Sequence, residues 1–192
     1  MCIRDRYMAL TKTPICDFGK NADDFRLKST DNKILSLNEL KGEKGTLIMF
    51  ICNHCPYVKA VIKDIVEDCA KLKNYGINSV AISSNDQINY PEDSFDNMVL
   101  FSKEHNFGFP YLIDETQNVA KKYDAVCTPD FFGYNQNLEL QYRGRIRELK
   151  DLKPVRSGDS DLYLAMKQIS ETGKGPEDQV PSMGCNIKWL NN

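Results

Sequence analysis

Cys52 and Cys55 enclose Asn53 and His54, and this Cys-x-x-Cys pair is the part of the sequence best suited to chemistry. It follows the apolar run Thr46 to Ile51 directly and precedes a helical pattern that opens at Pro56. A sulfur between a buried strand and a helix start lies near unpaired backbone N–H groups and the positive helix end, where a thiolate is stabilised. Such surroundings lower a cysteine pKa from about 8.5 to roughly 3.5–7.5, and the thiolate is the form that attacks a disulfide. Cys52 is therefore the expected nucleophile, and Cys55, one helical turn on, the expected resolving thiol. His54 can carry a positive charge, which would favour the thiolate and make the oxidised pair a stronger oxidant. The bland alternatives are two inert buried thiols and a solvated histidine.

Thr128-Pro129 adds a second element. A proline between a short helix and a strand can form a tight turn with a cis bond, exposing backbone groups that hold an extended substrate. Cys127 precedes this turn and is either a third redox partner or a small packed residue. Cys185 lies in a tail that either folds back over the site, where it would be a further redox thiol, or covers an open edge of the core, and a structural role is favoured for it. Trp189 suggests that burial anchors that tail. Cys69 falls among Val58, Ile62, Ile65, Val66 and Leu72 at helical spacing and reads as a buried small hydrophobe, while Cys2 and Cys16 have no chemical context.

The elements that must position these groups follow from apolar periodicity. Phe25 to Leu27 and Ile34 to Ser36 flank an Asp31-Asn32 turn and predict an N-terminal hairpin. The run at 46–51 predicts a strand buried on both faces, 56–75 a helix stopped by Gly76, and 77–83 a second buried strand. Strand, helix, strand implies a right-handed crossover and parallel pairing. A polar loop from Asn85 leads through Pro91 into a helix containing Phe95, Met98, Val99 and Phe101. A strand at 111–113 comes next, followed by a short helix with Val119, Ala120 and Tyr123. Two runs at 131–134 and 138–142 around Asn135-Gln136-Asn137 predict a hairpin. A last helix at 161–169 offers Leu162, Leu164, Ala165 and Ile169 for packing.

The chain has 192 residues, 41% of them hydrophobic, enough for one α/β domain. Its 25 basic and 27 acidic residues give a net charge of −2, without a basic run that could neutralise a phosphate backbone, so nucleic acid is an unsuitable partner. No apolar stretch approaches the roughly 20 residues that cross a bilayer. No membrane partner and a cytoplasmic location are expected. Residues 1–7 have no periodicity and are expected to be a non-native leader, with Met8 the natural start and 8–192 a single domain. Seven cysteines are too few for a disulfide-stapled scaffold.

The order of elements, with Cys52-Asn53-His54-Cys55-Pro56 before a helix and Thr128-Pro129 before a hairpin, resembles the thioredoxin superfamily over roughly residues 20 to 170. More closely, the chain is similar to the redoxin group related to alkyl hydroperoxide reductase and thiol-specific antioxidant proteins. The segments that carry this are Cys-Asn-His-Cys-Pro-Tyr-Val at 52–58, Tyr-Pro-Glu-Asp-Ser at 90–94, Cys-Thr-Pro-Asp-Phe-Phe at 127–132 and Pro-Ser-Met-Gly-Cys-Asn-Ile-Lys-Trp at 181–189. The resemblance implies a thioredoxin fold, with a central mixed sheet flanked by helices, an N-terminal hairpin extension and a C-terminal tail. It also implies a reactive Cys52–Cys55 pair beside a cis Pro129.

Peroxidase members of that group show Pro-x-x-x-Thr/Ser-x-x-Cys. Aligning their cysteine with Cys55 puts Cys52 where the hydroxyl should stand and Ile48 where the proline should. A second thiol in place of that hydroxyl suits disulfide exchange better than peroxide. The expectation is a thiol–disulfide oxidoreductase without a cofactor, acting on protein or small-molecule disulfides with an unidentified thiol electron donor. Peroxidase activity is the alternative, and Arg143 and Arg145 would supply positive charge to it unless they are merely solvated hairpin charges. Two further alternatives are a soft-metal site of the thiols with His54, although no metal is expected, and a peptide-binding protein using the groove at Pro129 with Phe131 and Phe132.

Overall fold

A computed structural model describes residues 10–13 and 17–190. The expected leader at 1–7, the start at Met8, Cys2 and Cys16 lie outside the described residues. In chain order the first elements are β1 (Leu10–Lys12), β2 (Arg26–Ser29), β3 (Ile34–Ser36), α1 (Leu37–Leu40), β4 (Gly45–Phe50), α2 (Pro56–Lys73) and β5 (Ile77–Ser83). Next come α3 (Phe95–Glu104), β6 (Tyr111–Ile113), α4 (Asn118–Lys122), β7 (Cys127–Thr128), β8 (Asp130–Asn135) and β9 (Leu140–Tyr142). The chain continues with β10 (Leu149–Lys150), β11 (Lys153–Pro154), α5 (Asp161–Thr172) and β12 (Met183–Asn186).

Seven strands form the central sheet in the order β3-β2-β6-β5-β4-β8-β9. β4 and β6 run parallel to β5, while β8 pairs antiparallel with β4 and β9 with β8, so the sheet is mixed. β4 lies between β5 and β8 and is buried throughout, which explains its unbroken apolar run. Its side chains alternate between two cores. Leu47 and Met49 join Val58, Val61, Ile65, Leu162 and Met166 of α2 and α5, whereas Ile48 and Phe50 join Leu37, Val119, Ala120 and Tyr123. Helices thus cover both faces. Among the described residues no helix is long and apolar enough to cross a membrane.

The expected hairpins and helices form with small boundary shifts. Two packing expectations need correction. Leu164 is exposed, and the buried stripe of α5 is Leu162, Tyr163, Ala165, Met166 and Ile169, because those positions face the sheet. Trp189 is 38% exposed, so it is not the tail's anchor; Ser182, Gly184, Cys185, Ile187 and Lys188 are the buried tail residues. That tail is also a strand, which its Gly-Pro-rich approach concealed. β12 lies between β1 and β7 in a separate three-stranded sheet.

Candidate active site

β4 delivers the chain to Ile51, and α2 begins after Cys55, its N-cap, with Pro56 in the first turn. Proline suits that place because its missing N–H has no partner there to lose. The second cysteine therefore occupies the positive end of the helix, where the sequence reading had put the favoured thiolate on the first. Both cysteines are buried.

The Thr128–Pro129 bond is cis, and Thr128 touches both sulfurs. Its hydroxyl lies 3.4 Å from Cys52 Sγ, and its carbonyl oxygen 3.1 Å from Cys55 Sγ. Cys185 Sγ lies 3.0 Å from Cys55 Sγ. The tail expected either to cover an edge or to return over the site thus does the second, and its cysteine contacts the pair.

Cys55 is held well below the usual thiol range, first by a hydrogen bond with Cys185 and then by one with Cys52. The Thr128 carbonyl opposes this, because it can only accept a hydrogen bond and so favours the protonated thiol. Cys52 moves the other way: burial pushes it up, with further contributions from Cys55 and the Asp93 carboxylate. The two thiols of the pair are thus pushed in opposite directions, Cys55 down and Cys52 up. Cys127 is buried, its S–H lies 3.5 Å from the Pro129 carbonyl, and desolvation raises its pKa, as for a packed residue.

His54 is not merely solvated. Its Nδ1 meets Asp93 Oδ2 at 2.5 Å, and its ring stacks on Tyr90 with centroids 5.9 Å apart. The hydrogen bond to Asp93 is the largest cause raising the His54 pKa, against a smaller desolvation effect. Asp93 is fully buried, and Oδ1 accepts the backbone N–H groups of Asn53 and His54 at 2.8 and 3.2 Å. Oδ2 also accepts from Asn85 Nδ2 at 2.7 Å. Asn53 is fixed on its other side by the Tyr111 hydroxyl at 3.0 Å and donates to the Glu92 carbonyl at 3.1 Å.

Asp93 and Lys188 are the residues that the motif alone did not reveal. The Tyr-Pro-Glu-Asp-Ser segment contained Asp93, but helix-start chemistry explains an acid after proline equally well. Lys188 contributes positive charge toward His54 and Cys185, and its backbone is tied to Asn85 and Gln117.

Cys52, His54 and Asp93 present ligand atoms within 4.8 Å of one another, the kind of group that could hold a metal. Their hydrogen bonding is that of a histidine–carboxylate pair, with both Asp93 oxygens already accepting. Arg143 is buried against Asp130 at 3.0 Å rather than solvated, and Arg145 pairs with Asp161 at 2.7 Å. Both arginines are thus engaged in structural ion pairs. Phe131 and Phe132 are buried on opposite faces of β8, although Phe131 and Pro129 also line a cavity with Tyr57, Val61 and Ile146.

A mixed sheet with a Cys-x-x-Cys helix start beside a cis proline is the thioredoxin architecture, shared at low identity by solved disulfide oxidoreductases. Residues 18–149 match the AhpC/TSA family, and the chain belongs to it. An uncharacterised conserved protein from Geobacillus kaustophilus is 39% identical, with a TM-score of 0.91 over 97% of this chain and 99% of that one. A hypothetical protein from Sinorhizobium meliloti 1021 is 34% identical, with a TM-score of 0.88 over 95% of this chain and 100% of that one. The thiol-disulfide oxidoreductase ResA of Bacillus subtilis (strain 168) is 26% identical over 117 residues, 61% of each chain. The match thus spans under two thirds of that relative's length.

Proposed function

We propose that the protein is a thiol–disulfide oxidoreductase in which Cys52 attacks a substrate disulfide and Cys55 resolves the mixed disulfide. The observation that carries this reading is the geometry of the pair: both sulfurs lie at the start of α2 against Thr128 of the cis Thr128–Pro129 bond, the hydroxyl 3.4 Å from Cys52 Sγ and the carbonyl 3.1 Å from Cys55 Sγ. Cys55 takes the proton of Cys52 as Cys52 Sγ bonds to one substrate sulfur, and the other substrate sulfur leaves with the electron pair. That leaving thiolate is protonated from Cys55, whose sulfur then attacks Cys52 Sγ. The second substrate thiolate departs, and a Cys52–Cys55 disulfide closes. An external thiol donor reverses the sequence.

Thr128 supports the reading because its hydroxyl and carbonyl meet the two sulfurs, where an approaching disulfide must also be aligned. His54 pairs with the Asp93 carboxylate that raises the Cys52 pKa, so a charge on the imidazole would offset that carboxylate. Peroxide chemistry has less support, since Cys52 replaces the hydroxyl of the peroxidase pattern and Arg143 and Arg145 are paired elsewhere.

Reduction of insulin and of a small aromatic disulfide by the wild type, Cys52→Ser and Cys55→Ser tests the assignment. Turnover by the wild type and its loss in both variants is expected, with Cys52→Ser unable to form the mixed disulfide. Equal rates in wild type and Cys52→Ser would refute it.

A further inference from the structure

We propose that Cys185 is a third redox thiol of this site, receiving the disulfide from Cys52–Cys55 as a Cys55–Cys185 bond and thereby freeing Cys52. This deepens the dithiol-exchange reading and rests on it.

Four observations bring Cys185 into position. Its sulfur is already 3.0 Å from Cys55 Sγ, and a disulfide bond is about 2.05 Å long, so about 1 Å of closure separates contact from a bond. β12 is also held in register, with Cys185 opposite Thr128 and Asn186 opposite Cys127 on one side, and Cys185 opposite Leu10 on the other. Ser182 Oγ donates to the Pro129 carbonyl at 2.7 Å, fixing the approach to the strand. Finally, a Cβ at Gly184 would fall on the Thr128 carbonyl oxygen, so glycine permits β12 to pack this closely. The tail therefore lies on the edge of β7 as an added peptide strand would, presenting its own thiol to Cys55.

The exchange balances internally. With Cys52–Cys55 closed, the Cys185 thiolate attacks Cys55 Sγ; the Cys55–Cys185 bond forms and the Cys52–Cys55 bond breaks. The electron pair leaves on Cys52 Sγ, which takes up the proton released by Cys185. One disulfide exists before and after, so no oxidant beyond the original substrate disulfide is needed. In the reduced site the hydrogen bond with Cys55 is the first cause that raises the Cys185 pKa, followed by burial and then the Cys55 charge. Closing Cys55 into a disulfide removes both its S–H···S bond and its charge, leaving burial opposed by the Lys188 ammonium.

The tryptic map separates the two bonds. Cys52 and Cys55 share the peptide 45–59, and Cys185 lies in 175–188. Reduced wild type, Cys185→Ser and Cys52→Ser are equilibrated in glutathione buffers of rising potential, quenched in acid, alkylated and digested. In wild type, loss of two hydrogens from 45–59 is expected together with a joined 45–59/175–188 species whose fragments place the link at Cys55. The joined species is expected to vanish in Cys185→Ser and to persist in Cys52→Ser. If 45–59 loses two hydrogens but no joined species forms in wild type or Cys52→Ser, the transfer is overturned while dithiol exchange stands. If neither bond forms in wild type, both readings fall.

Discussion

His54 Nδ1 and Asp93 Oδ2 lie 2.5 Å apart, joining the histidine of the cysteine motif to a fully buried carboxylate from the turn before α3. Of the two, Asp93 raises the Cys52 pKa directly. A charge on the imidazole would favour the thiolate.

Removing the histidine should leave the acid unbalanced. In His54→Ala, the Cys52 pKa should rise further and the reduction potential of the pair should fall by roughly 30 mV or more, since about 30 mV corresponds to 1.4 kcal/mol in this two-electron couple. Equilibration with glutathione measures the potential, and alkylation rate against pH measures the thiol. Values equal to wild type would remove His54 from the account.

Asp93→Asn should lower the His54 titration midpoint, because the bond to Asp93 is the main cause raising it. The folded pKa is the higher one, so this pairing stabilises the fold below the ordinary histidine value of about 6.5 and loses that contribution as pH rises through the folded value. Proton NMR of the two histidines, His54 and His105, follows the midpoint directly. An unmoved His54 signal would contradict the pairing.

Cys185→Ala should raise the apparent pKa of the thiolate by about one unit or more, because it removes the largest favourable hydrogen bond to Cys55. Thiolate absorbance in a pH titration of reduced protein reads this. The same midpoint in both proteins would show that Cys185 does not share the charge.

Away from the site, burial pushes Asp68 up to about 6, against the opposing Ser160 hydroxyl bond at 2.5 Å. A raised folded pKa means that stability is fully present below the unfolded value of about 3.9 and is lost as pH rises through about 6. Asp68→Asn should therefore match wild type near pH 4 and exceed it near pH 8 by on the order of 2 kcal/mol. Urea unfolding at the two pH values checks the sign.

Much of the fold was legible because β4 and α2 obey simple periodicities: an unbroken apolar run flanked by paired strands, then a helical stripe from Val58 to Leu72. The cysteine pair and the cis proline were legible through local chemistry and resemblance. Tertiary distance concealed the rest. Asp93 is 39 positions from His54 and Cys185 is 130 from Cys55, separations that no local pattern encodes. The tail strand was hidden for another reason. Its pairing edge is supplied by β1 and β7, two short elements from opposite ends of the sequence. The N-cap assignment turned on Pro56, which fixes the first turn of α2 after Cys55 rather than after Cys52.

Reversible closure of Cys52 and Cys55 is the central claim, and an equilibrium redox titration tests it most directly. Wild-type protein is poised across glutathione potentials, trapped, and the peptide 45–59 weighed at each point. The account predicts a reversible two-electron curve for the loss of two hydrogens from that peptide, the same approached from reduced or oxidised protein and abolished in Cys55→Ser. A peptide that keeps both thiols at every potential, or takes up only glutathione without closing, would contradict it.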